Sequence, residues 1–353
     1  MNSNVFDPNA AAQADSGIFG LPHSESEASL VYLPVPWEAT TSYGGGTSQG
    51  PRAIYESSKQ VDLFDADVLR PYEAGLFMLP EDAAIRGLND EAKLEAQKII
   101  ELGGDLEGQP HLQKSLDQVN QAGEKLNQFV YQQTRRLVKA GKLVGVLGGD
   151  HSVPFGALHA MAEKFASFGI LHFDAHSDTR KAYEGFTWSH ASIMYNVLEK
   201  IPEVKKLVQV GIRDYCEEEY NYCSSQKNRV QLFTDRYLQN QKFQGANWAR
   251  LCQEIIQSLP DDVWISFDID GLDPRFCPHT GTPVPGGLDF QEANYLIGEL
   301  VRSGKTIIGF DLNEVAPNTE DSQDEWDANV GARLLYKLSA WTLASQGKAK
   351  TLP

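Results

Sequence analysis

Three short stretches carry the residue types that could do chemistry in this chain. Gly148-Gly149-Asp150-His151-Ser152 and Asp174-Ala175-His176-Ser177-Asp178 each follow an apolar run, and so does Ser266-Phe267-Asp268-Ile269-Asp270-Gly271-Leu272-Asp273-Pro274. On an extended segment, side chains two apart share a face, so Asp174, His176 and Asp178 point one way, as do Asp268 and Asp270. Left uncompensated at a strand end, such groups would repel one another and be poorly solvated. Turn capping accounts for a single Asp-x-Asp. Its recurrence after two apolar strands points instead to a metal centre. His151, swung over the sheet edge by Gly148-Gly149, joins it as a further ligand. The set His151, Asp174, His176, Asp178, Asp268 and Asp270 holds two imidazoles, four carboxylates and no thiolate. One tetrahedral zinc would not use it all. It suits two ions sharing bridging carboxylates, and its oxygen-rich donors favour two Mn2+, with Ni2+, Co2+, Fe2+ or Zn2+ also able to occupy it. Such ions, about 3.5–4 Å apart, hold a bridging water and lower its pKa into the neutral range. The expected chemistry is attack by a metal-bridging hydroxide, and the reaction is hydrolysis.

These residues need a scaffold that delivers strand ends to one place. Residues 29–35 read as a first strand, followed by a Gly- and Thr-rich loop, 37–50, and a helix opening at Pro51. Residues 81–141 read as mostly helical, with Asn89 capping one helix that ends at Gly103-Gly104. A second helix carries Val119, Ala122, Leu126, Phe129, Val130 and Leu137 at helical spacing and closes at Gly141. That stripe reads as core packing rather than a partner surface. From residue 142 onward, apolar strands at 143–147, 169–173, 207–211, 230–233, 263–267 and 306–310 alternate with helical windows at 154–167, 189–200, 247–259, 289–304 and 328–346. Continuous apolar strands separated by helices predict a mostly parallel sheet covered on both faces. Ligands bind such sheets at the carboxyl ends of the strands, where every motif above falls. No repeat or linker divides the chain. The expected organisation is an N-terminal arm, 1–28, and a single catalytic domain, 29–353, with a helical insertion around 81–125.

Bulk composition bounds the partners. The 353 residues are 41% hydrophobic, enough for a full core, and carry a formal net charge of −17. Nothing resembles a basic stripe that could neutralise phosphates, so nucleic acid is not expected. The charge is compatible with a cationic substrate and equally with simple solubility. Four cysteines without Cys-x-x-Cys spacing read as reduced thiols. Neither a signal peptide nor a membrane span is legible, which predicts a cytoplasmic protein that does not engage a membrane.

The three motifs, in this order and at these separations, resemble the metal-binding motifs of the ureohydrolase family, which includes arginase, agmatinase and formimidoylglutamase. The likeness runs from Leu30 to about Leu343 and weakens over roughly 81–125. It implies a three-layer α/β/α, arginase-like fold, a two-manganese centre, and release of urea and an amine from a small cationic guanidino substrate. By position, Asp174 and Asp268 would bridge both ions, His151 and Asp178 complete one, and His176 and Asp270 the other. Ser266 and Asp273 match supporting positions, and His172 reads as a buried neighbour rather than a seventh ligand. His190, in Trp188-Ser189-His190-Ala191, matches the family's proton-shuttling histidine. Glu314 matches the glutamate that would pair with the guanidinium. Asp178 would also accept a hydrogen bond from the nucleophile. Arg213 has no reading beyond a structural ion pair. Residues 179–191 look like the agmatinase branch, although Arg180 stands where a carboxylated substrate would find a partner. Arginase-like or formimidoylglutamase-like activity therefore stays open. So do a metal-dependent deacetylase or amidohydrolase, and a chain keeping its metals for structure alone. The family's habit implies a homo-oligomer, trimer or hexamer.

Overall fold

Short apolar runs bounded by Gly, Pro or Asp become the strands of one sheet, because each buries both faces and cannot rest against water. The computed structural model describes residues 6–13 and 15–352. Its strands are β1 (Leu30–Pro34), β2 (Val68–Leu69), β3 (Leu76–Met78), β4 (Leu143–Leu147) and β5 (Phe168–Phe173), then β6 (Val204–Val210), β7 (Val230–Phe233), β8 (Asp262–Asp268), β9 (Thr306–Asn313) and β10 (Lys350–Thr351). Eight of them form a sheet in the order β3-β1-β4-β9-β8-β5-β6-β7. Every pairing in it is parallel. β2 and β10 form a separate antiparallel pair.

The helices are α1 (Gly50–Ser58), α2 (Ala83–Ile100), α3 (Pro110–Lys139), α4 (Phe155–Ala162), α5 (Ile193–Lys200), α6 (Glu217–Ser225), α7 (Asp235–Phe243), α8 (Trp248–Gln257), α9 (Phe290–Arg302) and α10 (Trp326–Ser345). They sort onto the two faces of the sheet by what they bury. Ile54, Leu238, Ile255, Leu296 and Leu335, from α1 and α7 to α10, join one core. Ile85, Leu126, Leu158, Val197 and Cys223, from α2 to α6, join the other. The result is the expected three-layer α/β/α arrangement. Among the described residues, no helix is long and apolar enough to cross a membrane.

Several local expectations shift. Asn89 is not a cap: it lies inside α2 and is buried, while Asp82 caps that helix by accepting from the amides of Ala84 and Ile85. Helices α6 and α7 were not anticipated, because they lack an apolar stripe. α6 buries only Glu219 and Cys223, and α7 only Leu238. The edge strand β3 is three residues long and shows no alternation to detect. Of the expected arm, residues 1–5 and 14 lie outside the described residues, whereas Ile18, Phe19 and Leu21 are buried in the core.

The topology decides where chemistry can occur. β4, β9, β8 and β5 are consecutive neighbours in the sheet, and the motif residues leave their carboxyl ends. Phe173 and Phe267 are register partners on β5 and β8, with rings stacked 4.6 Å apart. Asp174 and Asp268, the next residues, therefore leave the sheet side by side.

Candidate metal centre

The Gly148-Gly149 turn after β4 is required by close approach. A Cβ on Gly149 would lie 1.9 Å from the Trp37 carbonyl oxygen, and one on Gly148 2.0 Å from Asn313 Oδ1. With the chain pressed in this way, His151 stands over the ends of β5 and β8. Its Nδ1 faces three carboxylate oxygens: Asp174 Oδ2 at 3.0 Å, Asp268 Oδ2 at 3.2 Å and Asp178 Oδ2 at 3.4 Å. One ring nitrogen cannot serve three carboxylates. Donors around a cation with bonds of about 2.0–2.2 Å lie about 3 Å from one another, which is the spacing observed.

The other side of the ring fixes which nitrogen is free. Ser266 Oγ donates to Asp311 Oδ1 at 2.8 Å, so it accepts from His151 Nε2 at 2.8 Å. Asp311 is itself held by Trp264 Nε1 at 2.5 Å and Asn313 Nδ2 at 2.6 Å. Nε2 therefore carries a proton, and Nδ1 is the nitrogen left to offer a lone pair to a cation held among the carboxylates. Asp311 and Asn313 were not singled out from sequence. The available signal was a pair of polar residues two apart inside the apolar strand 306–313.

Asp174 has two faces. Its Oδ2 meets His151 and, at 2.8 Å, His172 Nε2, while its Oδ1 accepts from the His176 amide at 2.5 Å and lies 3.5 Å from His176 Nδ1. Asp270 Oδ1 accepts from the Ala175 amide at 2.9 Å. Its Oδ2 makes no hydrogen bond and lies 3.1 Å from His176 Nδ1. Two groups of potential ligands thus share Asp174: one with His151, His172 and Asp178, the other with His176 and Asp270.

His172 belongs to the first group by distance but not by chemistry. Gln209 Nε2 donates to the Ser177 carbonyl at 2.7 Å and to His172 Nδ1 at 2.9 Å. Nε2 of His172 must then carry the proton given to Asp174. Both of its nitrogens are engaged, so this ring orients Asp174 rather than offering a lone pair.

The charges do not balance within the protein. Burial pushes the pKa values of Asp178, Asp268 and Glu314 well up, and neighbouring carboxylates add to it: Asp174 for Asp178, Asp270 for Asp268, and Asp268 for Glu314. Burial also opposes ionisation of Asp174, but the facing His172 ring and hydrogen bonds from the surrounding histidines hold it well below the usual range. His151 is raised despite burial, by the carboxylates of Asp174, Asp268 and Asp311 that face its ring. Such a cluster keeps protons where a multivalent cation would serve better. The donor set fits divalent metal.

The backbone bends to assemble it. The expectation of one extended segment through Asp174, His176 and Asp178 does not hold, because Asp178 has φ 55° and reaches the cluster through a left-handed turn. Glu314 has φ 62°. Each such conformation costs about 1–3 kcal/mol and persists only where surroundings enforce it. Glu314 is enforced by its own amide on the Gly149 carbonyl at 2.7 Å and by Oε1 accepting from the His151 amide at 3.1 Å. Arg213 makes no carboxylate ion pair among the described residues. Its guanidinium instead donates to the carbonyls of Gly211, Asp270, Leu272 and Val284, which pins the chain carrying Asp270. Asp273 caps its own turn, through the Arg275 amide at 3.0 Å, and lies 3.9 Å from Arg275 Nε.

The cluster opens into a cleft of roughly 450 Å³ lined by His176, Asp178, Asp268 and Glu314 at its floor. His190 and Tyr183 form one wall. Thr40 Oγ1 lies 3.5 Å from His190 Nδ1. Burial, with the facing His176 and His151, pushes the His190 pKa down to about 4. Arg180 also lines the cleft, but its Nε lies 3.6 Å from Glu219 Oε2 and its guanidinium lies over the Tyr183 ring. Glu219 is buried and already accepts from the amides of Thr179 and Cys216.

Comparison with known proteins gives a consistent picture. A sequence model of the arginase family matches residues 28–340. An N(1)-aminopropylagmatine ureohydrolase of Thermus thermophilus is 31% identical over 293 residues, covering 83% of this chain and 84% of that protein. A guanidinobutyrase of Pseudomonas aeruginosa is 29% identical over 335 residues, covering 90% and 89%. The crystal structure of an agmatine ureohydrolase of Thermoplasma volcanium shares the fold, with a TM-score of 0.69 over 92% of this chain and 94% of that one at 22% identity. An arginase from Medicago truncatula gives 0.64 over 92% and 88% at 23% identity.

Proposed function

The chain belongs to the arginase family and is a metal-dependent ureohydrolase, and we propose that it works through two divalent ions on an agmatine-like substrate. The observation that carries this reading is the shared Asp174, whose two oxygens face two separate groups of ligands. In this reading Asp174 and Asp268 would be shared by the two ions, His151 and Asp178 would help hold one, and His176 and Asp270 the other. The oxygen-rich set favours manganese. Bound ions would supply Lewis acidity, bringing a water held between them toward a neutral pKa and so providing the nucleophile.

The chain's own residues supply the rest. Asp178, at the cleft beside His151, would accept a hydrogen bond from a water so held and orient it. Glu314, raised by burial and its acidic neighbours, is set to ionise when a guanidinium arrives, because a charge-assisted planar pair returns the lost stabilisation. That pair holds the guanidinium carbon over the floor of the cleft. His190, which lines the same cleft as Glu314, is the group that passes a proton to the departing amine.

Arg180 is the residue that could favour a carboxylated substrate, such as the relative named guanidinobutyrase implies. Its pairing with buried Glu219 removes that preference. An amine-ended guanidino compound is the better fit, as the relatives named for aminopropylagmatine suggest. Urea release from agmatine, aminopropyl-extended agmatine, arginine and 4-guanidinobutyrate tests it, with chelation and manganese restoration run alongside. Turnover led by the two amine-ended compounds, lost on chelation and regained with manganese, is expected. Preference for guanidinobutyrate would reassign Arg180, and restoration only by nickel or zinc would overturn the choice of metal.

A further inference from the structure

The loop joining β1 to α1 forms one rim of the cleft, with Ser42 and Tyr43 lining it and Thr40 reaching His190. It is rich in glycine, and a chain of that composition would not hold one shape unaided. Its shape is held from inside by Glu38, which is 5% exposed. Glu38 Oε2 accepts from the amides of Gly46 at 2.8 Å and Ser48 at 2.9 Å and from Thr47 Oγ1 at 3.1 Å, closing the loop around a buried carboxylate. The charge is compensated from outside the loop, by Lys93 on Oε1.

Lys93 lies on α2, in the helical segment that the metal-binding motifs leave without a role. Two more residues of that helix bond to the same loop. Asn89 Oδ1 accepts from the Glu38 amide at 2.7 Å, and Arg86 Nη2 donates to the Ser48 carbonyl at 3.0 Å. Positions 86, 89 and 93 share one helix face, and that face is turned onto the loop. The next helix grips the opposite rim. Asn120 Oδ1 of α3 accepts from the Thr187 amide at 2.8 Å, three residues before His190. A Cβ on Gly123 would meet Trp188 at 2.7 Å, so bare backbone is needed for that close approach. Ser115 of α3 bonds Glu95 of α2 at 2.6 Å, tying the two helices together.

We infer that the α2–α3 hairpin is a clamp that sets the width of the substrate cleft, with Lys93, through Glu38, as the positioning residue for the rim carrying Thr40 and Tyr43. The inference rests on the reading of this cleft as the substrate site. Lys93 touches neither the proposed ligands nor the proposed substrate pocket floor, and acts only through the loop. Its loss leaves the ion site intact and the rim unfastened, so substrate binding suffers more than turnover.

The test compares Lys93→Met and Lys93→Arg with the wild-type protein in three readouts: backbone hydrogen exchange, bound manganese, and KM and kcat for the guanidino compound it turns over best. Lys93→Met is expected to speed exchange over residues 40–48 by about tenfold or more while the sheet is unchanged. KM should rise about tenfold, the worth of one charged hydrogen bond, with kcat falling less and manganese content preserved. Lys93→Arg should restore both exchange and KM. If Lys93→Met fails to fold because Glu38 is left uncompensated, the double variant Glu38→Gln with Lys93→Met removes that charge and should show the same loosened rim. Unchanged exchange over 40–48, or equal losses in KM, kcat and manganese that arginine does not rescue, would overturn the clamp. If the wild-type protein releases urea from no guanidino compound, the substrate reading fails by itself. The exchange data then still decide whether Lys93 holds the loop.

Discussion

Replacing Ser266 by alanine tests how the ion site is prepared. The hydroxyl stands between His151 Nε2 and Asp311 Oδ1, 2.8 Å from each. Once it is removed, the next acceptor for the ring N–H is Asp311 Oδ1 at 3.6 Å, too far for a hydrogen bond. Ser266 and His151 are both buried, so water does not take its place readily. An unsatisfied buried donor costs about 1–3 kcal/mol, which should appear as a lower melting temperature of the chelated protein. The ring also loses the contact that keeps its proton on Nε2. Loss of such an orienting partner weakens metal binding by about 10–100-fold. That equals about 1.4–2.8 kcal/mol at 1.4 kcal/mol per decade. Competition with a chelating dye measures the affinity directly, and Asp311, still held by Trp264 and Asn313, should stay in place. Manganese affinity within about twofold of wild type would refute the reasoning that Ser266 sets the tautomer of a ligand.

Other perturbations probe separate parts of the site. His190→Ala should lower kcat by about 10²-fold or more with a smaller change in KM. Because burial and the facing His176 and His151 push its pKa down to about 4, the ring is expected to show no ionisation near neutrality in the free enzyme. A kcat/KM limb near pH 6.5 that vanished in this variant would contradict its assigned environment. Arg213→Met frees four carbonyls, including that of Asp270, and should weaken one ion about tenfold more than the other in a manganese titration. Equal weakening of both would show that Arg213 serves the fold generally. For the chelated protein, Asp178, Asp268, Glu314 and His151 all have folded pKa values raised above their unfolded ones. Their contribution is present below the unfolded values and lost as pH rises through the folded ones, so above about 6.5, where the lowered His172 and His190 no longer act with the opposite sign, the melting temperature should fall as pH rises. Manganese should flatten that slope, and a chelated protein that gains stability toward pH 8 would refute the sign.

The ligand-type residues were legible because each follows an apolar strand, and a parallel sheet gathers its carboxyl ends. The details of their delivery were not. Period-two reasoning aligned Asp174, His176 and Asp178 on one face, yet Asp178 arrives by a left-handed residue that no alternation encodes. Asp311 and Gln209 act through space on His151 and His172, and a neighbour across a sheet leaves no local spacing to read. Arg213 was expected to seek a carboxylate; four carbonyls at the end of the sheet took that role instead. Asn89 had the composition of a cap, and tertiary contact with Glu38 overrode that local preference. The helices α6 and α7, nearly all polar, carry no periodic signal because the sheet asks little burial of them.

Anomalous diffraction from crystals of the manganese-loaded protein measures the central claim directly. Two peaks about 3.5–4 Å apart are expected, one beside His151 and Asp178, the other beside His176 and Asp270, with Asp174 between them. A single peak, or density away from these side chains, would contradict it.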